Sequence, residues 1–178
     1  LVREAERLGV GVAAHAMSRE GIGAAIDAGA RSIEHGDGFT EELLEKAKAK
    51  GVFWCPTLTA YEHARESAPA DHPRRRFMER LGPIRTAALR RGHEMGVKIA
   101  LGSDAGSYPW SNNPAREFEL LVTVGGFTPM EAIRAGTSVA AELLGEQDRK
   151  GRLAPAEFRQ PGRHCICIVG RGLFGSLK

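Results

Sequence analysis

The sequence predicts an α/β fold in which short parallel strands are joined by crossover helices. Apolar runs alternate with segments of helical periodicity along most of the 178 residues. This order is typical of a parallel sheet with helices packed on it, and mostly apolar strands are expected when both faces of the sheet are buried. Four strands are predicted, whereas a closed (β/α)8 barrel has eight strands and about 250 residues. The chain is therefore predicted to form the second half of a TIM-type barrel.

Capping residues mark the ends of the predicted helices. Ser18 and Thr40 precede the first two helices as N-caps, and Gly29 and Gly51 end them. Thr128, followed by a proline, is a standard entry to the last helix. The predicted helices cover residues 18–28, 41–50, 73–95, 114–124 and 129–144.

Apolar runs rich in β-forming residues mark the four predicted strands. The long helix between the third and fourth strands keeps an apolar spacing of three and four residues, which indicates one buried face. Its many arginines are predicted to lie on a solvated outer face rather than to bind nucleic acid, because charge runs on helices usually face water. These arginines are Arg74, Arg75, Arg76, Arg80, Arg85, Arg90 and Arg91. The predicted strands cover residues 10–14, 32–35, 52–58 and 97–101.

Composition and charge exclude several classes of function. The net charge of +3 is too small to indicate nucleic-acid binding, and no apolar run reaches the length of a membrane span. Three cysteines are too few for a disulfide framework, which favours a reducing compartment and a cytoplasmic location. The chain begins at Leu1 rather than at Met, so a signal peptide ahead of it is left open.

Three of the four predicted strands end in a side chain that can bind a metal ion. His15 follows the first strand, His35 ends the second and Asp104 follows the fourth. The carboxyl ends of barrel strands converge on one face, so these residues are expected to meet in space. Imidazole nitrogens and a carboxylate suit Zn²⁺ or a similar divalent ion. Any one of them alone could be an ordinary polar residue at a strand end.

Several short motifs resemble the amidohydrolase superfamily. They are Ser-Ile-Glu-His-Gly at residues 32–36, Pro-Thr-Leu at 56–58 and Gly-Ser-Asp-Ala-Gly at 102–106, in that order. Their order and spacing are more specific than any single motif. The resemblance is strongest to the prolidase-like and imidazolonepropionase-like branch, and it extends over roughly residues 1–155. The stretches 113–117, 127–133 and 140–145 also resemble that branch.

The resemblance implies a role for each of the candidate residues. The chain would supply strands 5–8 of the barrel, with His15 and His35 as ligands of the second metal ion of a binuclear zinc site. Asp104 would bind the first metal ion and exchange protons with the metal-bound hydroxide. Tyr61 resembles a tyrosine that some prolidase-like members use in catalysis, with a packing role as the alternative. The implied reaction is hydrolysis of an amide C–N bond.

The same resemblance predicts the partners of the chain. The expected substrate is a dipeptide of the Xaa-Pro type or a cyclic amide, met by loops that include residues 107–117. Nucleic acid and membrane are not expected as partners, and a homo-oligomer is left open.

The sequence also departs from the family. It contains no His-x-His, and the family's carboxylated lysine after strand four has no counterpart in it. The 178 residues alone are therefore expected to be inactive, with activity belonging to a full-length protein. A catalytically inactive half-barrel, or an interaction module, is the alternative. Residues 1–150 are predicted to be the partial barrel, and residues 151–178 the start of a small β-sandwich with a frameshifted tail from about residue 159.

Overall fold

The structure, a computed structural model, describes residues 1–153. The predictions of a β-sandwich return and a frameshifted tail concern residues 151–178 and lie almost wholly outside this range. The strands are β1 (Ala13–Ala16), β2 (Ser32–His35) and β3 (Phe53–Cys55). The helices are α1 (Val2–Arg7), α2 (Arg19–Ala28), α3 (Glu41–Lys50), α4 (Leu58–Glu66), α5 (Pro73–Met95), α6 (Arg116–Thr123), α7 (Pro129–Gly136) and α8 (Ser138–Leu143).

The predicted parallel sheet is present. Its order is β1-β2-β3, and both strand pairs are parallel. The segment predicted as a fourth strand over 97–101 lies beside β3 but forms only an isolated bridge between Ile99 and Trp54. The amide of Ala100 donates to Trp54 O at 2.9 Å, whereas the amide of Leu101 donates to Ala135 O of α7 at 3.1 Å. The ladder therefore ends after one bridge because the backbone turns toward the helix.

Side-chain caps define the helix ends that the sequence predicts. Ser18 accepts a hydrogen bond from the backbone N–H of Gly21, and Thr40 accepts one from Leu43. Gly29 and Gly51 then end α2 and α3 in the left-handed conformation that favours glycine. Thr128 forms a full capping box with Glu131 at the start of α7. These predictions are confirmed.

Other element boundaries differ from the prediction for local reasons. The third strand was predicted over 52–58 but ends at Cys55, because Pro56 has no N–H and Thr57 adopts a left-handed conformation. Leu58 instead begins α4, a helix that the sequence did not predict. The helix predicted over 129–144 is two helices. Its break follows Gly136, where an added Cβ would collide with the ring of Phe118.

The hydrophobic core packs on the face of the sheet where Ala14, Ile33 and Trp54 pair in register, and Trp54 is its largest fully buried side chain. The indole N–H of Trp54 donates to the carbonyl of His35 at 2.9 Å, and its ring lies 4.5 Å from that of Phe39 between centroids. The Trp54 side chain thus links the end of β2 to Phe39, in the segment before α3. Within residues 1–153, no helix combines the length and the apolar character needed to cross a membrane.

Cys55 of β3 packs closely against Gly102, which follows the segment 97–101, and this contact gives a first prediction. A Cβ added at Gly102 would overlap the Sγ of Cys55, a free and fully buried thiol. Gly102→Ala is therefore expected to lower the free energy of unfolding by about 1–3 kcal/mol, the usual cost of overpacking. Chemical denaturation measures this. Adding Cys55→Ala to Gly102→Ala should restore part of the lost stability. Equal stability of the single variant and the double variant would contradict the assigned collision.

Candidate functional site

Two of the predicted metal ligands lie together at the carboxyl end of the sheet. His15 and Ala16 of β1 pair in register with Glu34 and His35 of β2. The two imidazole rings meet edge to face with 4.4 Å between their centroids. His15 is exposed, and His35 is half-buried. The expectation that residues from successive strand ends meet in space therefore describes this pair.

Backbone strain is concentrated in residues that end or follow the successive strands. His35 has φ 71°, Thr57 φ 49° and Asp104 φ 55°, and these are the non-glycine residues with positive φ in residues 1–153. A left-handed conformation costs a non-glycine residue about 1–3 kcal/mol and persists only where surrounding structure imposes it. Such residues cluster at active sites, so the strain itself indicates a functional site on this face.

The surroundings of His35 suit a neutral, oriented imidazole. Its Nδ1 lies 2.8 Å from the hydroxyl oxygen of Thr57, which leaves Nε2 as the ring nitrogen without that contact. Burial lowers the pKa of His35, and the neighbouring His15 lowers it further, whereas Asp104 and Asp37 oppose the shift. Burial and the neighbouring His15 thus favour the neutral imidazole, which is the form that binds a metal ion.

Asp104 lies on the same face, close enough for its charge to act on His35. It is exposed, and its carbonyl accepts hydrogen bonds from the backbone N–H and the hydroxyl of Ser107 at 3.1 and 2.8 Å, which closes a tight turn. In the described part of the chain, no three His, Cys, Asp or Glu residues come close enough together to form a metal site. The structure therefore brings the histidines together, with Asp104 nearby but outside a ligand cluster.

Tyr61 makes its contacts with α5. Its hydroxyl donates to the backbone carbonyl of Met78, and its ring lies under the guanidinium of Arg85, 4.3 Å from Cζ to the ring centroid. Burial raises the pKa of the Tyr61 phenol. The catalytic role of Tyr61 stays a prediction, and in this structure the hydroxyl is engaged by Met78.

A buried ion pair beneath this face was not predicted. Arg85 of α5 and Asp37, two residues after His35, are 5% and 7% exposed at their side chains, and Nε lies 2.5 Å from Oδ1. Arg85 also donates to the carbonyl of Pro56 at 2.6 Å. Burial lowers the pKa of Arg85, and the charge of Asp37 opposes the shift. The prediction that Arg85 lies on a solvated face is wrong, because this arginine lies on the sheet side of α5.

A buried carboxylate was also missed. The side chain of Glu117, in the first turn of α6, is fully buried and accepts hydrogen bonds from the start of α4. Burial raises the pKa of Glu117, while these hydrogen bonds oppose the shift. The only sequence signal was its place beside Asn-Pro-Ala-Arg in a motif that resembles the amidohydrolases, and that motif assigned it no role.

The donor set fits part of a metal site. The two imidazoles are in contact, one of them is oriented through Nδ1, and burial favours its neutral form. A divalent ion such as Zn²⁺ requires neutral imidazole from its histidine ligands. Tetrahedral zinc takes four ligands, so further ligands are needed beside this pair. The described residues can thus supply two ligands together and a nearby carboxylate.

Comparisons with known proteins find similar sequences. A family model described as "Amidohydrolase family" matches residues 1–156. Ochratoxinase of Aspergillus niger is 34% identical over 149 residues, which are 83% of this chain and 30% of that protein. Imidazolonepropionase of Aeromonas salmonicida is 29% identical over 154 residues, which are 84% of this chain and 33% of that protein.

The fold agrees as well. The crystal structure of a Xaa-Pro dipeptidase with methionine bound in its active site matches 84% of this chain and 37% of its own, with a TM-score of 0.76 and 34% identity. This match implies a TIM-barrel-type fold, consistent with the parallel sheet. Which strands of the barrel the chain supplies stays a prediction. The chain spans about a third of the length of the relatives that it matches.

Proposed function

The chain belongs to the amidohydrolase family, and we propose that it forms part of the active site of a metal-dependent hydrolase that cleaves amide C–N bonds. The observation that carries the proposal is the face on which the His15 and His35 rings are in contact and which bears the strained residues His35, Thr57 and Asp104. Because the chain spans about a third of its relatives, we propose that further polypeptide completes the site.

The names of the relatives support a substrate class. One solved relative is a Xaa-Pro dipeptidase, which supports a dipeptide of the Xaa-Pro type. The similarity to imidazolonepropionase supports a cyclic amide as the other form of the same bond. Both substrates carry a carbonyl that must accept a nucleophile and a nitrogen that must accept a proton, so one set of residues serves either.

His15 and His35 would hold one divalent metal ion, for which Zn²⁺ is the simplest choice given imidazole ligands. When bound, such an ion acidifies water and polarises the substrate carbonyl. Thr57 orients the His35 ring from the Nδ1 side, so that Nε2 is the nitrogen presented to the ion. In a binuclear site, Asp104 would be one ligand of the other ion, and its remaining ligands would come from polypeptide outside these 178 residues, because the sequence contains no His-x-His.

Asp104 is proposed as the proton carrier. An exposed carboxylate beside the histidine pair can take a proton from the attacking water and later deliver it to the leaving nitrogen. Tyr61 is proposed to act on the tetrahedral oxyanion as a hydrogen-bond donor, which requires its hydroxyl to leave the carbonyl of Met78.

Metal binding by the chain tests the proposed ligands. In isothermal titration calorimetry with Zn²⁺, His15→Ala and His35→Ala are each expected to weaken binding at least tenfold, since even residues that only support a ligand commonly cost about 10–100-fold in affinity. His72→Asn is the matched control. It removes an exposed imidazole at the start of α5 and keeps a side chain that can cap the helix.

We expect His72→Asn to bind zinc like the wild-type chain. Equal zinc affinity in the wild-type chain, His15→Ala and His35→Ala would contradict the assignment of these histidines as ligands.

A further inference from the structure

The segment that leads from β3 into the first residues of α4, residues 56–59, is held from two sides by buried ionisable side chains. Arg85 of α5 donates to the carbonyl of Pro56 at 2.6 Å. Glu117 of α6 accepts from residues 58 and 59 on the other side of Thr57. Thr57 itself is 4% exposed, with φ 49° and ψ 53°. The residue in the strained conformation is thus the one between the two attachments.

Glu117 performs the work of an N-cap for a helix to which it does not belong. Its Oε1 accepts from the backbone N–H of Leu58 at 2.7 Å. Its Oε2 accepts from the N–H and the hydroxyl of Thr59 at 2.8 and 2.6 Å. The first N–H groups of a helix lack partners inside the helix and are usually satisfied by the N-cap side chain. Here a fully buried carboxylate from α6 satisfies two of them.

This arrangement leaves the Thr57 hydroxyl available. Thr57 is the N-cap residue of α4 by position, yet its side chain makes no capping hydrogen bond. Its Oγ1 lies instead 2.8 Å from Nδ1 of His35. Glu117 occupies the N–H of Thr59, one of the two groups that an N-cap threonine usually contacts, while the Thr57 hydroxyl is turned to His35.

We propose that Glu117 is a positioning residue for His35: it caps α4 in place of Thr57 and thereby commits the Thr57 hydroxyl to the imidazole. We call this series of contacts, from Glu117 through residues 57–59 to His35, the relay. Its significance rests on the proposed function, in which His35 presents Nε2 to a metal ion. The relay itself is a property of the chain alone. Glu117 makes its hydrogen bonds to residues 58 and 59, not to His35, and acts only through residues 57–59.

The tautomer of His35 reports the relay directly. Long-range ¹H–¹⁵N correlation spectra of the 178-residue chain at pH 8, where unperturbed histidines are neutral, distinguish Nδ1–H from Nε2–H. In the wild-type chain we expect His35 to be the Nδ1–H tautomer, donating to Thr57. Thr57→Val should move His35 toward the other tautomer, and Thr57→Ser should restore the wild-type spectrum.

Glu117→Gln is expected to shift His35 in the same direction as Thr57→Val. A glutamine has one acceptor oxygen where the carboxylate has two, so a helix N–H loses its partner and competes for the Thr57 hydroxyl. Glu119→Gln makes the same change on an exposed residue of the same helix and should leave His35 unchanged. Glu117→Asp keeps the carboxylate but shortens its reach, so a helix N–H again loses its partner and His35 should shift in the same direction. Thr59→Val leaves both N–H groups bonded to Glu117 and should leave His35 unchanged.

Two results would overturn the proposal. One is a wild-type His35 signal in both Glu117→Gln and Glu117→Asp. The other is a shift of all the histidine signals alike, which would assign Glu117 to general stability. If Glu117→Gln does not fold, Glu117→Asp alone decides.

Zinc affinity gives a second readout that separates this proposal from the proposed function. Glu117→Gln and Thr57→Val should each weaken Zn²⁺ binding about tenfold, and the double variant should be no weaker than either. Two changes acting through one contact are not additive, whereas independent changes are. Additive losses would overturn the relay. A wild-type chain that binds no zinc would count against His15 and His35 as a metal-binding pair and leave the tautomer test intact.

Discussion

Asp104→Asn is expected to lower kcat by about 10²–10⁴-fold, the usual contribution of a positioned proton carrier. Asparagine has nearly the same shape as aspartate but cannot take the proton of the attacking water or return it to the leaving nitrogen. The measurement is steady-state hydrolysis of an Xaa-Pro dipeptide by the complete enzyme, with metal content determined on the same samples. We expect metal content to be largely retained, because the histidine pair is unchanged.

The matched control for Asp104→Asn is Asp71→Asn. Asp71 is an exposed aspartate in the turn before α5, so this variant should keep wild-type turnover. A loss of kcat together with a comparable loss of metal would assign Asp104 to metal binding rather than to proton transfer. Near-normal turnover in Asp104→Asn would remove Asp104 from the mechanism.

The parts of the fold that were predicted correctly are those in which a residue acts on its own neighbours. Ser18, Thr40 and Thr128 each cap the N–H group three residues ahead, and the residue types and spacing for this are present in the local sequence. The meeting of His15 and His35 was predicted for a different reason, which is that parallel strands bring their carboxyl ends to one edge of the sheet.

What the sequence did not reveal depends on contacts between distant residues. Glu117 lies in a short helix of ordinary amphipathic pattern, and only the fold shows that its carboxylate is buried against residues 58 and 59. The start of α4 was missed for a related reason. Its N-cap side chain is turned to His35, and the cap comes from another helix, so the usual local signal for a helix start is absent.

The buried pair of Arg85 and Asp37 carries the largest expected effect on stability. Arg85→Met leaves the carboxylate of Asp37 buried without its counter-charge and removes a donor from Pro56. We expect the free energy of unfolding to fall by about 3–5 kcal/mol, the usual cost of removing one partner of a buried ion pair. Urea denaturation of the chain measures it. Arg80→Met, an exposed site on the same helix, should change stability by no more than about 0.5 kcal/mol.

A second substitution separates the charge from the packing. If the loss in Arg85→Met comes from an unpaired buried charge, Asp37→Asn in the same background should recover part of it, because the carboxylate is then gone. If the stability lost in the double variant instead equals the sum of the losses in the single variants, the stability comes from packing of the Arg85 stem and its contact with Tyr61.

Because Asp37 follows His35 by two residues and Pro56 precedes Thr57, the same ion pair ties α5 to the segments after both β2 and β3. Its loss should therefore loosen the histidine face before the rest of the sheet, which hydrogen exchange at residues 35–37 and 57–59 would detect as faster exchange there than in α2.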